Sequence, residues 1–204
     1  AHGDINAHII DLARYLVGEF TEVNGLLHTF ITERPVPDDA GKTQGLTAKA
    51  ARKMGKVTVD DASLFIGRFE NGAIANLEAT RMALGRKNHI ELEINGSKGS
   101  LYFDFEDMNR LKFFNNDDPK DRQGFRDILV TKGGTHPYFS SWWPEGHIVG
   151  YEHTFIHTVV DFVNACVDGK PVQPTFDDGV KNQRVLEAVE KSAQSGKWVK
   201  LVNK

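Results

Sequence analysis

Cysteine is almost absent. The single one in 204 residues, Cys166, cannot form an internal disulfide, which excludes a disulfide-stapled secreted scaffold. It falls on the apolar side of a predicted helix, where a buried thiol in a reducing compartment is expected. Nothing near it in sequence would lower its pKa, which argues against a nucleophile. Long apolar runs are missing too, so no segment reads as a bilayer span. An excess of one charge is also lacking: 25 Lys and Arg against 28 Asp and Glu give a net charge of −3. That balance excludes an electrostatic nucleic-acid binder and gives no membrane-surface signal. The first residues lack a basic stretch followed by an apolar core and a small-residue cleavage site, and a cytoplasmic location is the expectation. Glycine is plentiful, yet no two of the 19 are separated by one residue. The dinucleotide fingerprint G-x-G-x-x-G is therefore absent, as is the P-loop G-x-x-x-x-G-K-[ST]. G-x-S-x-G, H-E-x-x-H and C-x-x-C are missing as well.

What is present divides by hydrophobic period. Residues 5–17 read as a helix: Ile9, Leu12, Ala13, Leu16 and Val17 follow the i, i+3, i+4 pattern, and Gly18 ends it. The period then changes to two. "EVNGLLHTFI" and "DDASLFIGRF" alternate, "ENGA" is a tight turn into "AIANLEATRMA", and "NHIELEI", "NGSKG" and "SLYFDFE" form a second hairpin. "RLKFF" and "DILVT" read as shorter strands. Two helices follow, through Phe155, Val159, Phe162, Val163 and Cys166 and through Val185, Leu186 and Val189, before a last strand in "KWVKLV". The order helix, strands, two helices, strand predicts an α+β fold, a large open, mostly antiparallel sheet with helices packed on one face. One connection, residues 33–59, interrupts the strands; its prolines and glycines predict a surface loop or short helix, with a basic cluster at Lys49, Arg52, Lys53 and Lys56.

Three constellations carry chemistry. Asp4 and His8 stand at i, i+4 at the start of the first helix, able to act on one ligand from one face. A histidine poised by a carboxylate suits a general base, although an aspartate there also caps and complements the helix dipole. The second is "THPYFSSWWPEGHIVGYEHTFIH". Its Trp142, Trp143, His147, Tyr151 and His153 surround a Pro-Glu-Gly turn that exposes at least one indole. Flat aromatic faces with polar neighbours suit a sugar ring, and equally a protein contact. The third is His153 and His157 with Asp161, at a spacing that can hold zinc but lacks a closing ligand; His2 with Asp4 and His8 is a comparable set.

"GDINAHIIDLARYLVGE" resembles the motif opening the second domain of the glucose–fructose oxidoreductase and inositol dehydrogenase family. "VTVDDASLFIGRFENGAIANLEATRMALG", "IELEINGSKGSLYFD" and "FVNACVDGKPVQPTFDDGVKNQRVLEAVEKSAQSGKWVKL" follow in the family's order. The resemblance covers nearly the whole chain. It implies that residues 1–204 are a C-terminal substrate-binding and oligomerisation domain. The Rossmann domain that binds NAD or NADP, with its lysine, would lie before residue 1. It places Asp4 and His8 in the family's catalytic positions and implies hydride transfer between nicotinamide and a secondary alcohol of a sugar or cyclitol, in a homodimer or homotetramer joined through the sheet. The isolated chain is then expected to be inactive. "SSWWPEGHIVGYEHTF" resembles a subgroup acting on hexose-type sugars and anhydrosugars. Asn6 stands where the family usually has glycine, which predicts an unusual backbone angle or an altered pocket floor. The competing expectations are a non-catalytic sugar-binding or oligomerisation module and a metal-dependent enzyme built on the helix histidines.

Overall fold

In the computed structural model, which describes residues 1–37 and 50–201, the chain forms two compact units. The first comprises residues 1–84 and 176–204, the second residues 85–175. All strand pairings among the described residues are antiparallel, and the architecture is the expected α+β one. Among the described residues no helix is long and apolar enough to cross a membrane.

The first unit opens with a π-helical turn, His2–Asn6, leading into α1 (Ala7–Leu16). Helical structure thus begins earlier than the sequence pattern predicts. Strands β1 (Phe20–His28), β4 (Ala62–Phe69) and β5 (Ile74–Thr80) join the short β10 (Val199–Lys200) in the order β10-β1-β4-β5. The β4–β5 hairpin turns at Asn71-Gly72, where the Asn71 carboxamide oxygen accepts the Ala73 N–H at 3.0 Å and Gly72 takes φ +87°, a conformation that favours glycine. Burial alternates along β4 with period two, as for a sheet covered on one face. The covered face packs on α1 and on α3 (Phe176–Ser195), with Ile10, Phe20, Val23, Phe65, Phe69, Val185, Leu186 and Val189 as its core.

That packing needs a close approach. A Cβ on Gly25 of β1 would lie 2.7 Å from a Val189 methyl and 3.3 Å from the Phe65 Cβ. Glycine there lets α3 settle on the sheet, and Ser192 fastens it: its hydroxyl accepts the Gly25 N–H at 3.0 Å and donates to the Lys197 carbonyl at 2.6 Å. The buried side of α1 is rotated from the sequence expectation. Ile10 and Arg14 point inward, while Leu16 is exposed. The reason is Arg14, which forms a fork with both Glu19 oxygens at 2.9 Å and donates to the Asp178 carbonyl at 2.9 Å, so its charge is matched where it is buried.

The predicted loop at 33–59 is partly strand. β2 (Glu33–Pro37) pairs with β3 (Ala50–Lys56) as a separate two-stranded ladder. Prolines 35 and 37 are tolerated because, among the described residues, β2 has one hydrogen-bonded neighbour, so a missing N–H can face away from the ladder. Of the basic cluster, Lys53 and Lys56 are exposed; Lys49 and the Arg52 side chain lie outside the described residues.

The second unit is a meander of β6 (Glu91–Gly96), β7 (Gly99–Asp104), β8 (Arg110–Asn115) and β9 (Arg126–Leu129), followed by α2 (Tyr151–Asp168). Asn109 clamps the segment before α2 to this sheet, donating to the Val149 carbonyl at 2.9 Å and accepting its N–H at 3.0 Å. The side of α2 facing this segment is polar, built from His153, His157 and Asp161, whereas Phe155, Val159, Phe162 and Val163 are exposed. Cys166 is exposed with them, contrary to the buried thiol that helical periodicity predicts.

Candidate functional site

Asp4 and His8 are both exposed, on the π turn and on the first turn of α1. Asp4 does not cap α1 with its side chain; its carboxylate accepts from the Arg81 guanidinium, which follows β5. A π turn leaves its backbone bonds less regular than an α turn and recurs at functional sites. Here the Asn6 N–H reaches the Ala1 carbonyl at 3.4 Å.

A buried polar cluster holds this turn from beneath. His2 Nδ1 lies 3.0 Å from the Ser63 hydroxyl and 2.9 Å from the Asn6 amide nitrogen, and Nε2 lies 2.9 Å from the Leu186 carbonyl. Nε2 must carry the proton, because a carbonyl only accepts; Nδ1 is then the acceptor. Asn6 Nδ2 also donates to Ser63 Oγ at 2.6 Å. His2, Asn6 and Ser63 are essentially inaccessible. Asn6 has ordinary helical angles, φ −64° and ψ −27°, so the expected backbone strain is not found. Its side chain, tied to His2 and Ser63, accounts for asparagine there. Both His2 nitrogens are engaged, which removes His2 from the suggested set with Asp4 and His8 as a metal ligand. Near this turn a shallow depression of about 420 Å³ is lined by Ala1, Arg34, Val57, Asp60, Asp61 and Arg81, among others.

The aromatic segment, in the second unit, divides into locked and exposed members. Trp142 donates its indole N–H to His157 Nε2 at 2.8 Å and meets His153 edge-on at 4.5 Å. The His157 ring stacks on Tyr138, centroids 4.2 Å apart and planes within 10°, and the Tyr138 hydroxyl donates to Asp161 at 2.5 Å. Burial, then the charges of His136 and His153, hold the His157 pKa below its ordinary value, against the pull of Asp161. His153 Nδ1 accepts the Gly150 N–H at 3.0 Å and so closes the start of α2. His153 and His157 each spend the lone pair of their acceptor nitrogen on a structural hydrogen bond, which leaves an N–H on the other, so this pair is built for structure rather than for zinc. Trp143 is 73% exposed, with His147 6.1 Å away and anchored to the Pro144 carbonyl at 2.8 Å. Tyr151, half exposed, packs edge-on against Phe105 and Phe155.

A pyrophosphate seeks free N–H groups and positive charge. The first turn of α1 carries no acidic residue, but Asp4 lies in the opening turn before it, Glu152 in the first turn of α2, and Asp177 and Asp178 in that of α3. Sequence reasoning missed Arg81 and the His2–Asn6–Ser63 cluster. A lone arginine after a strand gives no signal, and the cluster joins residues about 60 positions apart that pair only in the fold.

Residues 1–201 match the GFO/IDH/MocA model described as an oxidoreductase family, C-terminal alpha/beta domain. A levoglucosan dehydrogenase of Pseudarthrobacter phenanthrenivorans is 40% identical over 200 residues, which span 98% of this chain and 51% of that protein. The crystal structure of an oxidoreductase domain protein from Kribbella flavida superposes with a TM-score of 0.88 at 49% identity, covering 100% of this chain and 50% of that one. A levoglucosan dehydrogenase in complex with NADH and levoglucosan does so with a TM-score of 0.88 at 39% identity, covering 100% of this chain and 51% of that one. The chain thus spans about half the length of the relatives it matches.

Proposed function

Because this chain belongs to the GFO/IDH/MocA oxidoreductase family as its C-terminal alpha/beta domain, we propose that residues 1–204 are the substrate-binding half of an NAD(P)-dependent dehydrogenase. It acts on a secondary alcohol of a sugar or cyclitol. The observation that carries this reading is the exposed Asp4 and His8 on an opening helical turn held rigidly from below. The relative crystallised with NADH and levoglucosan makes an anhydrosugar the first substrate to try. The nicotinamide supplies the hydride acceptor or donor. We assign its dinucleotide to the half of the relatives that this chain does not span.

This chain's own contribution is positioning and proton transfer. His8, exposed and one turn beyond Asp4, takes the hydroxyl proton as the alcohol is oxidised and returns it in reduction. Asp4, oriented by Arg81, accepts a hydrogen bond from a neighbouring hydroxyl. Trp143, with His147 and Tyr151 nearby in sequence, offers an indole face to the apolar side of a sugar ring. Trp142 and His153 hold that segment in shape. The uncovered face of the first sheet carries Leu26 directly opposite Leu64, with Ile66 and Ile74 also exposed. Such a face suits a homodimer or homotetramer joined sheet to sheet.

The test is the full-length protein assayed with levoglucosan, hexoses and cyclitols against NAD and NADP. Turnover that falls by about 10²–10⁴ in His8→Ala supports the reading. Near-wild-type turnover in that variant, or clear turnover by residues 1–204 alone, overturns it.

A further inference from the structure

In the second unit, His89, Asp104 and Glu106 bring one ligand atom each to within 4.8 Å of one another. His89 lies two residues before the start of β6, Asp104 ends β7, and Glu106 sits in the single helical turn Phe105–Asp107 that follows. Two features of this corner are costly as they stand. Glu91 and Asp104 face each other directly across the β6–β7 ladder, and like charges in that position repel. His89 is only 15% exposed, and its Nδ1 is buried with no hydrogen-bond partner. That nitrogen points at two carboxylates, Asp104 at 3.6 Å and Glu106 at 4.0 Å, too far for hydrogen bonds, while Nε2 faces Glu91 at 3.3 Å.

We propose that His89, Asp104 and Glu106 form a binding site for a divalent transition-metal cation of the zinc type. One imidazole nitrogen and two carboxylate oxygens are a donor set that zinc accepts, with water completing the shell. Bonds of about 2.0–2.2 Å in a tetrahedral arrangement place neighbouring ligand atoms about 3.3–3.6 Å apart, so small side-chain rotations close this site. The remaining atoms are already braced. Glu106 Oε1 accepts the N–H groups of Lys87 and Asn88 at 3.2 and 3.0 Å, which leaves Oε2 for the metal. Asp104 Oδ1, the oxygen that faces His89 Nδ1, also accepts the Glu106 N–H at 2.9 Å, which fixes the carboxylate and leaves it a second lone pair for the metal. Glu91 is held by the Tyr102 hydroxyl at 3.1 Å and can accept from His89 Nε2–H, fixing the tautomer that frees Nδ1. The cation would replace the repulsion at this corner by a cross-link between the approach to β6 and the end of β7.

The experiment uses the full-length protein, stripped with chelator and titrated calorimetrically with zinc chloride at neutral pH. One equivalent should bind, with affinity at least tenfold weaker in His89→Ala and in Asp104→Asn. X-ray absorption at the zinc edge should show directly bound light atoms without sulfur, with the more distant imidazole-ring scattering lost in His89→Gln. If His89→Ala is poorly folded, His89→Gln provides the binding comparison. No binding by the wild type, or equal binding by wild type and both His89 variants, overturns the proposal.

Discussion

The guanidinium of Arg81 donates to the carboxylate of Asp4, joining the end of β5 to the turn that opens the chain. Both side chains are more than half exposed, so the pair contributes at most about 1 kcal/mol to stability. Its consequence is geometric: the carboxylate expected to meet substrate is held in one direction. Arg81→Met in the full-length protein should leave the melting temperature nearly unchanged while kcat/KM for the preferred sugar falls at least tenfold. A normal kcat/KM would show that Asp4 needs no such orientation.

Replacing Asn6 by glycine, the family's usual residue, removes the donor shared by His2 and Ser63 and adds a flexible residue at a helical position. The expected cost is about 1–3 kcal/mol, read by urea denaturation. Unchanged stability would mean that His2 and Ser63 satisfy each other without Asn6.

The His157–Trp142 bond makes the aromatic segment sensitive to acid. The folded state holds His157 neutral because a second ring proton would abolish the acceptor for the indole N–H. The folded pKa is lowered, so the stability this provides is complete above the unfolded value of about 6.5. It is lost as pH falls from there toward the folded pKa, because only the unfolded chain binds the proton in that interval. Tryptophan fluorescence should show a transition below the pH at which free imidazole titrates, and His157→Gln should remove it. A transition that persists in this variant would assign it to another group.

Gly25 makes a sharper structural prediction. Gly25→Val places branched atoms against Val189 and Phe65, where even one Cβ is too close. It should destabilise the protein by about 1–3 kcal/mol, measured by thermal unfolding, whereas Gly85→Ala, with open space around it, should be nearly neutral.

Much of the fold was legible because its signals are local. The alternation in β1 and β4, the Asn71-Gly72 turn, and the apolar periodicity of α3 each lie within a dozen residues. Asp4 and His8, placed by helical spacing at the start of the first helix, are both exposed there. What escaped depended on partners distant in sequence. Arg14 turned inward because Glu19 and Asp178 receive it. The prolines of β2 were read as strand breakers because nothing local says that the strand has, among the described residues, one neighbour. α2 was read by its apolar side, yet its polar side meets Tyr138 and Trp142, and Cys166 was misplaced with it.

The division of the first unit between residues 1–84 and 176–204 also has a consequence for biosynthesis. β1, β4 and β5 leave the ribosome before α3 exists, so their apolar face has to wait for Val185, Leu186 and Val189 to be translated. The meander of residues 85–175 needs only neighbouring hairpins and can close while synthesis continues. Nascent chains stalled before the codon for Phe176 should therefore expose sticky strands from the early segment and recruit chaperones there, and release of the final stretch should end that dependence.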